Sequence, residues 1–245
     1  MTHRFWVAAD QLQGDEVRFT DEQAHQLRAV LRLRAGAEVR VFDGVAPVDR
    51  VVELQPNLDT GLIVGEAAQA PEPRVRLVVH PALLQRDKFE MVLQKLTEIG
   101  AAAIGPVITA RSLVREAPDE GRYARWRAIL REAAEQSGRG AVPELLPAVP
   151  LTVALAHAQG RIVMAYEGER CRRLRDALED RPRQVALFVG PEGGFTPEEV
   201  ACARSARASV VTLGPRMLRA ETAALLAAGL VLHELGDLSW PESIA

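Results

Sequence analysis

The spacing of apolar positions changes partway along the chain. Over the first 70 residues they fall in short strand-like runs, RFWVA, EVRF, EVRVF, VDRVVEL and LIVGEA, punctuated by Gly and Pro. One helix interrupts them. Thr20 and Gln23 stand at capping-box spacing, Asp21 and Glu22 occupy the first turn, where the helix dipole favours negative charge, and Leu27, Val30 and Leu31 share a face. The other face carries His25, Arg28 and Arg32, and Arg34 follows. In isolation such a face reads as solvated surface. The segment AQAPEPR (68–74) has two prolines and little to pack, which predicts a small β-rich domain at 1–70 and a second domain at 74–245.

In the second domain strand-like runs alternate with helical ones. Strands are expected at 75–79, 104–108, 161–165, 185–189 and 209–213. Between them a helix over 87–99 aligns Phe89, Val92, Leu93 and Leu96, and a longer one buries Tyr123, Trp126, Ile129, Leu130 and Ala133. Further helices are expected after Pro150, Cys171, Thr196 and Arg219. The alternation predicts an α/β domain with a mostly parallel sheet.

Composition narrows the choices. The chain has 245 residues, 48% of them apolar, so a sizeable core is available and disorder is excluded. A formal net charge of -3 excludes a protein that coats nucleic acid by bulk charge, so any RNA contact must be a local patch. All the basic residues except Lys88 and Lys95 are arginine, which suits bidentate phosphate contact but equally follows from genome composition. Cys171 and Cys202 form no CxxC or Cys/His set, and the histidines are scattered, so neither a metal nor a disulfide is expected. The first ten residues lack a signal-like apolar stretch, and the longest apolar run, 223–232, falls short of the roughly 20 residues of a membrane span. A soluble, cytoplasmic protein is expected.

Candidate chemistry gathers at two loops. The strand-like VALFV (185–189) runs into GPEGGF (190–195), and a helix start follows, with Thr196 as N-cap, Pro197 in first position and Glu199 completing a capping box. Glycines between a strand's carboxyl end and a helix let the backbone approach a ligand closely. The loop is neither GxGxxG nor a Walker loop, and Pro191 has no N–H to give a phosphate. The next strand likewise runs into GPRMLR (214–219). If the two strands are neighbours, both loops line one crevice rich in main-chain groups, which favours an adenosine-type ligand without polyphosphate. Taken singly, the first loop also reads as a plain glycine turn, and Arg216, Arg219 and Glu221 as a surface ion cluster.

GPEGGF (190–195) followed by LGPRMLRAETA (213–223) resembles the paired carboxyl-terminal signature of the SPOUT-class RNA methyltransferases, specifically the RsmE family that methylates uridine N3 in 16S ribosomal RNA. Lys88, Gln94-Lys95, Glu98-Ile99-Gly100, Arg111-Ser112, and Glu135-Gln136-Ser137-Gly138-Arg139 with Pro143 occur in the family's order, and HRF (3–5), His25, VLRLRAG (30–36) and FDG (42–44) look like its PUA-like domain. The stretches 61–70 and 168–182 carry no family signature. The resemblance implies a SPOUT-type α/β-knot methyltransferase domain, folded as a deep trefoil knot and preceded by a small β-rich PUA-like domain. It also implies S-adenosylmethionine as cofactor, a homodimer with sites near the subunit interface, and 16S rRNA, within the small ribosomal subunit, as substrate.

By the same resemblance three loops cradle the cofactor, with main-chain contacts from Gly190, Gly193, Leu213, Gly214 and Leu218 and side chains from Glu167 and Glu192. Uracil N3 must lose its proton before it can accept a methyl group, so the site needs a proton acceptor or donors to the uracil oxygens. Arg219 is the candidate for stabilising that charge, and Glu221 for orienting Arg219 or taking the proton. N3 is hidden in a base pair, so the target is unpaired or flipped out. A positive surface should therefore lead RNA to the cofactor, and His3, Arg4, His25, Arg28, Arg32 and Arg34 read as that surface, joined by Lys88 and Arg111. For Glu135-Gln136-Ser137 a capping and dimer-contact role and an active-site role stay open. Two alternatives also stand: methylation of a ribose 2′-OH or of another RNA, and an RNA-binding assembly factor without catalysis.

Overall fold

A computed structural model describes residues 3–239, so the outer limits of the expected domains, 1 and 245, lie outside the described residues. The chain divides into two compact units. The first runs to Glu72 and also takes in Arg131–Val142; the second holds Pro73–Leu130 and the chain from Pro143 onward. The short return of 131–142 to the first unit is a long-range feature that a boundary near residue 70 does not anticipate.

The first unit is a sheet with one helix. Its strands are β1 (Arg4–Trp6), β2 (Leu12–Gln13), β3 (Glu16–Arg18), β4 (Glu38–Phe42), β5 (Val48–Leu54) and β6 (Thr60–Ala68), in the order β1-β4-β5-β6-β3-β2. The β1–β4 pair is parallel and the other pairs are antiparallel. Alternation along the strands sends Phe5, Val17, Val39, Val41 and Val52 into one core. Helix α1 (Asp21–His25) starts on the expected capping box, in which Thr20 Oγ1 accepts from Gln23 N–H and Gln23 Oε1 accepts from Thr20 N–H. It continues as a wider π-turn over Gln26–Val30. The extra residue in that turn shifts the face: Ala24 and Leu27 are buried, whereas Val30, expected in the core, is 65% exposed.

The end of a long helix, from Arg131 to Ser137, belongs to this first unit, and its motif residues have structural roles there. Glu135 accepts from the main-chain N–H of Trp6 (2.7 Å), and burial pushes its carboxyl above the ordinary range. Ser137 Oγ donates to Ala133 O, and Arg139 pairs with Glu72. Gly138, at φ 76°, ends the helix with Arg139 N–H bonding back to Ala134 O, which bears out the capping part of the roles left open for 135–137.

The second unit is α/β. Its elements are β7 (Arg76–Pro81), α2 (Arg86–Ile99), β8 (Ala103–Ile104), β9 (Val107–Ile108), α3 (Glu120–Ser137, which passes into the first unit at Arg131), β10 (Glu144–Leu145), β11 (Val149–Pro150), α4 (Leu151–His157), β12 (Arg161–Ala165), β13 (Gln184–Val189), α5 (Pro197–Ser205), β14 (Ser209–Val211) and α6 (Ala220–Glu234). The main sheet is parallel throughout, in the order β10-β8-β7-β13-β12-β14. A smaller pair joins β9 and β11, because Gly105-Pro106 divides the single strand expected at 104–108. The stripe Phe89, Val92, Leu93 and Leu96 is buried as its spacing predicts, and Gly100, with φ 114°, ends α2 in the left-handed region that glycine tolerates.

Two expectations fail here. The strands that end at GPEGGF and LGPRML are not neighbours, since β12 lies between β13 and β14. And after Cys171 only a short 3₁₀ turn, Arg175–Ala177, forms in place of a helix. Glu169 accepts from the main-chain N–H groups of Arg170, Cys171 and Arg172, while Thr212 N–H bonds to Arg172 O. Those bonds hold the main chain in turns and occupy groups a helix would need.

Candidate active site

Three loops leave the carboxyl ends of adjacent strands. β12 ends in Tyr166-Glu167-Gly168, β13 in GPEGGF (190–195), and β14 in Thr212 and LGPRML (213–218). Together with Ala220 and Ala223 of α6 they line one cleft of about 280 Å³, close to the ~300 Å³ lower end of small-molecule sites. Glu167, Gly190, Glu192, Gly193, Leu213, Gly214 and Leu218, assigned from the sequence to the cofactor, all line it.

Local chemistry shapes each loop. In GPEGGF, Gly194 N–H bonds to Pro191 O (2.9 Å), and Gly194 has φ 67°. A Cβ there would stand 1.9 Å from Glu167 Oε1, so two loops approach each other at a residue without a side chain. Phe195, 1% exposed, anchors the loop, and a Cβ on Gly190 would press on its ring at 3.2 Å. In the third loop Gly214 has φ 112° and its N–H bonds to Thr212 Oγ1 (3.1 Å).

Neighbouring segments brace the cleft. Glu199 completes the predicted capping box on Thr196, with its Oε2 accepting from Thr196 N–H at 2.8 Å. Its Oε1 accepts from Ala110 N–H, also at 2.8 Å, and so ties the 109–112 loop to the start of α5. On that loop Arg111 donates to Gly193 O (2.9 Å). Lys88 of α2 pairs with Glu192 (3.0 Å). Lys88 and Arg111, expected to touch RNA, are thus both engaged by the GPEGGF loop, and each holds one of its residues in place.

Arg219 is the N-cap of α6 and is exposed, with no side-chain partner among the described residues. Glu221 is 8% exposed, and its buried Oε2 has no hydrogen-bond partner. Neither side chain is part of the cleft wall. Ala220 and Ala223 are, and a helix turns residue 221 about 100° away from residue 220.

In the first unit His3, His25, Arg28, Arg32 and Arg34 are exposed. Arg28 reaches Asp59 and Asn57 O in a half-exposed pair, and Arg32 sits at φ 54°. Arg4 must be withdrawn from the RNA surface. Its side chain, 8% exposed, forms a two-pronged pair with Asp49 at 2.7 Å, donates to Ala134 O and lies over the Phe42 ring. A buried guanidinium committed to a buried carboxylate is unavailable to phosphate.

Sequence reasoning missed Tyr166, Gly194, Thr212, Arg216 and Met217 as lining residues, and Glu199 as a brace. The doubled glycine of GPEGGF was a usable signal for Gly194. Glu199 had none beyond its cap, because its second partner is 89 residues away.

Comparison with known proteins gives this cleft its class. Residues 71–232, which include all three loops, match the family model described as the RNA methyltransferase domain. Ribosomal RNA small subunit methyltransferase E of Synechocystis sp. is 32% identical over 240 residues, covering 93% of this chain and 76% of its own. The protein of that name from Mycobacterium bovis is 33% identical, covering 86% of this chain and 83% of its own. A crystal structure of a ribosomal RNA small subunit methyltransferase E from Neisseria gonorrhoeae bound to S-adenosyl methionine superposes with a TM-score of 0.84 at 31% identity, over 95% of this chain and 98% of its own. The chain belongs to the ribosomal RNA small subunit methyltransferase E family.

Proposed function

We propose that this protein is the S-adenosylmethionine-dependent methyltransferase of small-subunit ribosomal RNA, acting on uridine N3 in 16S rRNA. The observation that carries this reading is the convergence of seven residues, chosen from three separate loops, on one cleft at the carboxyl ends of β12, β13 and β14. The cleft fits the cofactor chemically: its walls combine main-chain groups and apolar side chains with Glu167, Glu192, Thr212 and Arg216, and at Gly190 and Gly194 a Cβ would crowd the loops that shape it. Gly190, Gly193, Leu213, Gly214 and Leu218 would hold the nucleoside through their main chain, with Glu167 and Glu192 beside them. When bound, S-adenosylmethionine supplies a sulfonium-activated methyl group.

The remaining work falls to the chain. Aligning the base with the methyl group removes much of the entropic barrier. Arg219, exposed and unpaired at the entrance of α6, is placed to donate to the uracil oxygens as N3 loses its proton. Glu221, whose buried Oε2 lacks a partner and which does not touch Arg219 in this structure, is the candidate to orient Arg219 or take that proton once RNA and cofactor are bound.

His25, Arg28, Arg32 and Arg34, with His3, are the RNA-contact surface of a PUA-like first unit. The support is their shared exposure on a β-rich unit. The second unit is a deep trefoil knot of SPOUT type. Supporting this, the chain leaves β14 at the sheet edge, and α6 then packs on α2, β7 and β13, beyond β12, while the β12–β13 connection bridges to Thr212 through Arg173. The protein works as a homodimer in the cytoplasm, on rRNA within the small subunit. Among the described residues no helix is long and apolar enough to cross a membrane.

The test is methylation of small subunits in vitro with methyl-labelled cofactor, followed by mass spectrometry of the nucleosides. The expected product is N3-methyluridine. Label on a ribose or another base, or no transfer, would overturn the assignment.

A further inference from the structure

Besides the three-loop cleft, a second cavity of about 360 Å³ lies against β7 and β13, from Arg76 and Gln184 at their amino-terminal ends to His80, which is in register with Phe188. It shares no lining residue with the first. Residues of one sheet face, Val78, His80 and Ala186, form its floor, Leu146 with Val153 and Ala154 of α4 form its walls, and the exposed Arg76, His157 and Gln159 with the half-buried Gln184 also line it.

The floor carries an uncommon group. His80 is 7% exposed and stacks on Phe188, with ring centroids 4.5 Å apart and planes 14° from parallel. Its Nδ1 lies 3.0 Å from Gly105 O. A carbonyl oxygen only accepts, so Nδ1 carries the hydrogen and the lone pair sits on Nε2. Burial also holds the ring below the ordinary imidazole pKa, against the raising effect of the Gly105 bond, which keeps it neutral. No hydrogen bond of Nε2 is seen among the described residues, and unlike Glu221 Oε2 it is not a sealed atom without a partner. Gly105 makes this placement possible, because a Cβ there would stand 2.7 Å from Nδ1.

A nitrogen acceptor held in a fixed tautomer, on a residue of a mainly apolar floor, calls for a donor. Water alone is a poor occupant. Against the floor and inner walls a water finds few of the two to four polar partners it wants, because Val78, Leu146, Val153, Ala154 and Ala186 supply none. Arg76, the arginine in the lining, is paired with Glu144 at 3.3 Å, so a charged ligand would pay for desolvation against the apolar walls without a free counter-charge from it. We propose that this cavity is a binding site for a small, uncharged, mainly apolar molecule carrying one N–H or O–H group, with that group donating to His80 Nε2.

The test uses the full chain and two probes of nearly the same shape, indole and 1-methylindole, followed by NMR of the histidine ring nitrogens and the backbone amides. Indole is expected to shift the His80 nitrogens and the amides of Val78 and Ala186 saturably. 1-Methylindole, which lacks the donor, is expected to bind about tenfold more weakly, the worth of one hydrogen bond. His80→Phe should abolish the difference between the probes. Val153→Trp, at a wall position that is 41% exposed, should block both while the thermal shift given by S-adenosylmethionine is kept. Equal affinity for the two probes, no saturable shift at His80, or binding that survives Val153→Trp would overturn the proposal.

Discussion

Arginines with the same side chain do different work in this protein, and burial separates them. Arg4 is sealed against Asp49, so Arg4→Ala leaves a carboxylate 2% exposed with no counter-charge. A loss of about 3 kcal/mol is expected in chemical denaturation. Arg28→Glu with Arg32→Glu, both at exposed positions, should leave stability within about 0.5 kcal/mol and weaken RNA binding, with a shallower salt dependence. Arg219→Ala should slow single-turnover methylation by about a hundredfold or more, with cofactor affinity from calorimetry unchanged. Near wild-type turnover would remove Arg219 from the mechanism. Gly194→Ala sets a methyl group against Glu167 Oε1 and strains φ 67°. A stability loss of about 1 kcal/mol is expected, together with weaker cofactor binding, since Glu167 must swing away from the cleft.

The elements are held to one another by a few long-range polar clamps. Glu90 of α2 binds Arg125 of α3 through both oxygens at 2.6 Å. That pairing outweighs burial and holds the Glu90 carboxyl below its ordinary value of 4.5. A depressed acid contributes stability above its unfolded-state value and loses it as pH falls through the folded one. Glu90→Gln should therefore cost about 1 kcal/mol at neutral pH, with the gap to wild type closing in acid below roughly pH 4; a gap independent of pH would show that the pair contributes little. Caps and stripes were legible in the sequence at this level: Thr20 and Thr196 cap as their spacing predicts, and the α2 stripe is buried. The π-turn that exposes Val30 and the missing helix after Cys171 were not, because each depends on hydrogen bonds to groups whose positions the tertiary fold sets.

For the molecule as a whole, a ligand that binds only the folded state stabilises by mass action, about 2.7 kcal/mol at a hundredfold excess over Kd. S-adenosylmethionine should therefore raise the unfolding midpoint. Slowed hydrogen exchange should appear at 166–168, 190–195 and 212–218 and leave the β1–β6 sheet of the first unit unchanged. Protection spread over that sheet would contradict a cofactor site confined to the three loops.

Local chemistry alone was enough to place the strands, the capped helices and both glycine loops, because turn residues, caps and apolar period act over a few positions. The residues of the cleft came from the family resemblance and not from local chemistry, and the two strands that carry its Gly-Pro loops are parted by β12. Strand order, the return of 131–142 to the first unit, the Glu199 and Lys88 braces and the sealing of Arg4 by Asp49 came only with the fold. Each joins residues dozens of positions apart, and whether a charge meets solvent or a buried partner depends on what the folded chain brings beside it.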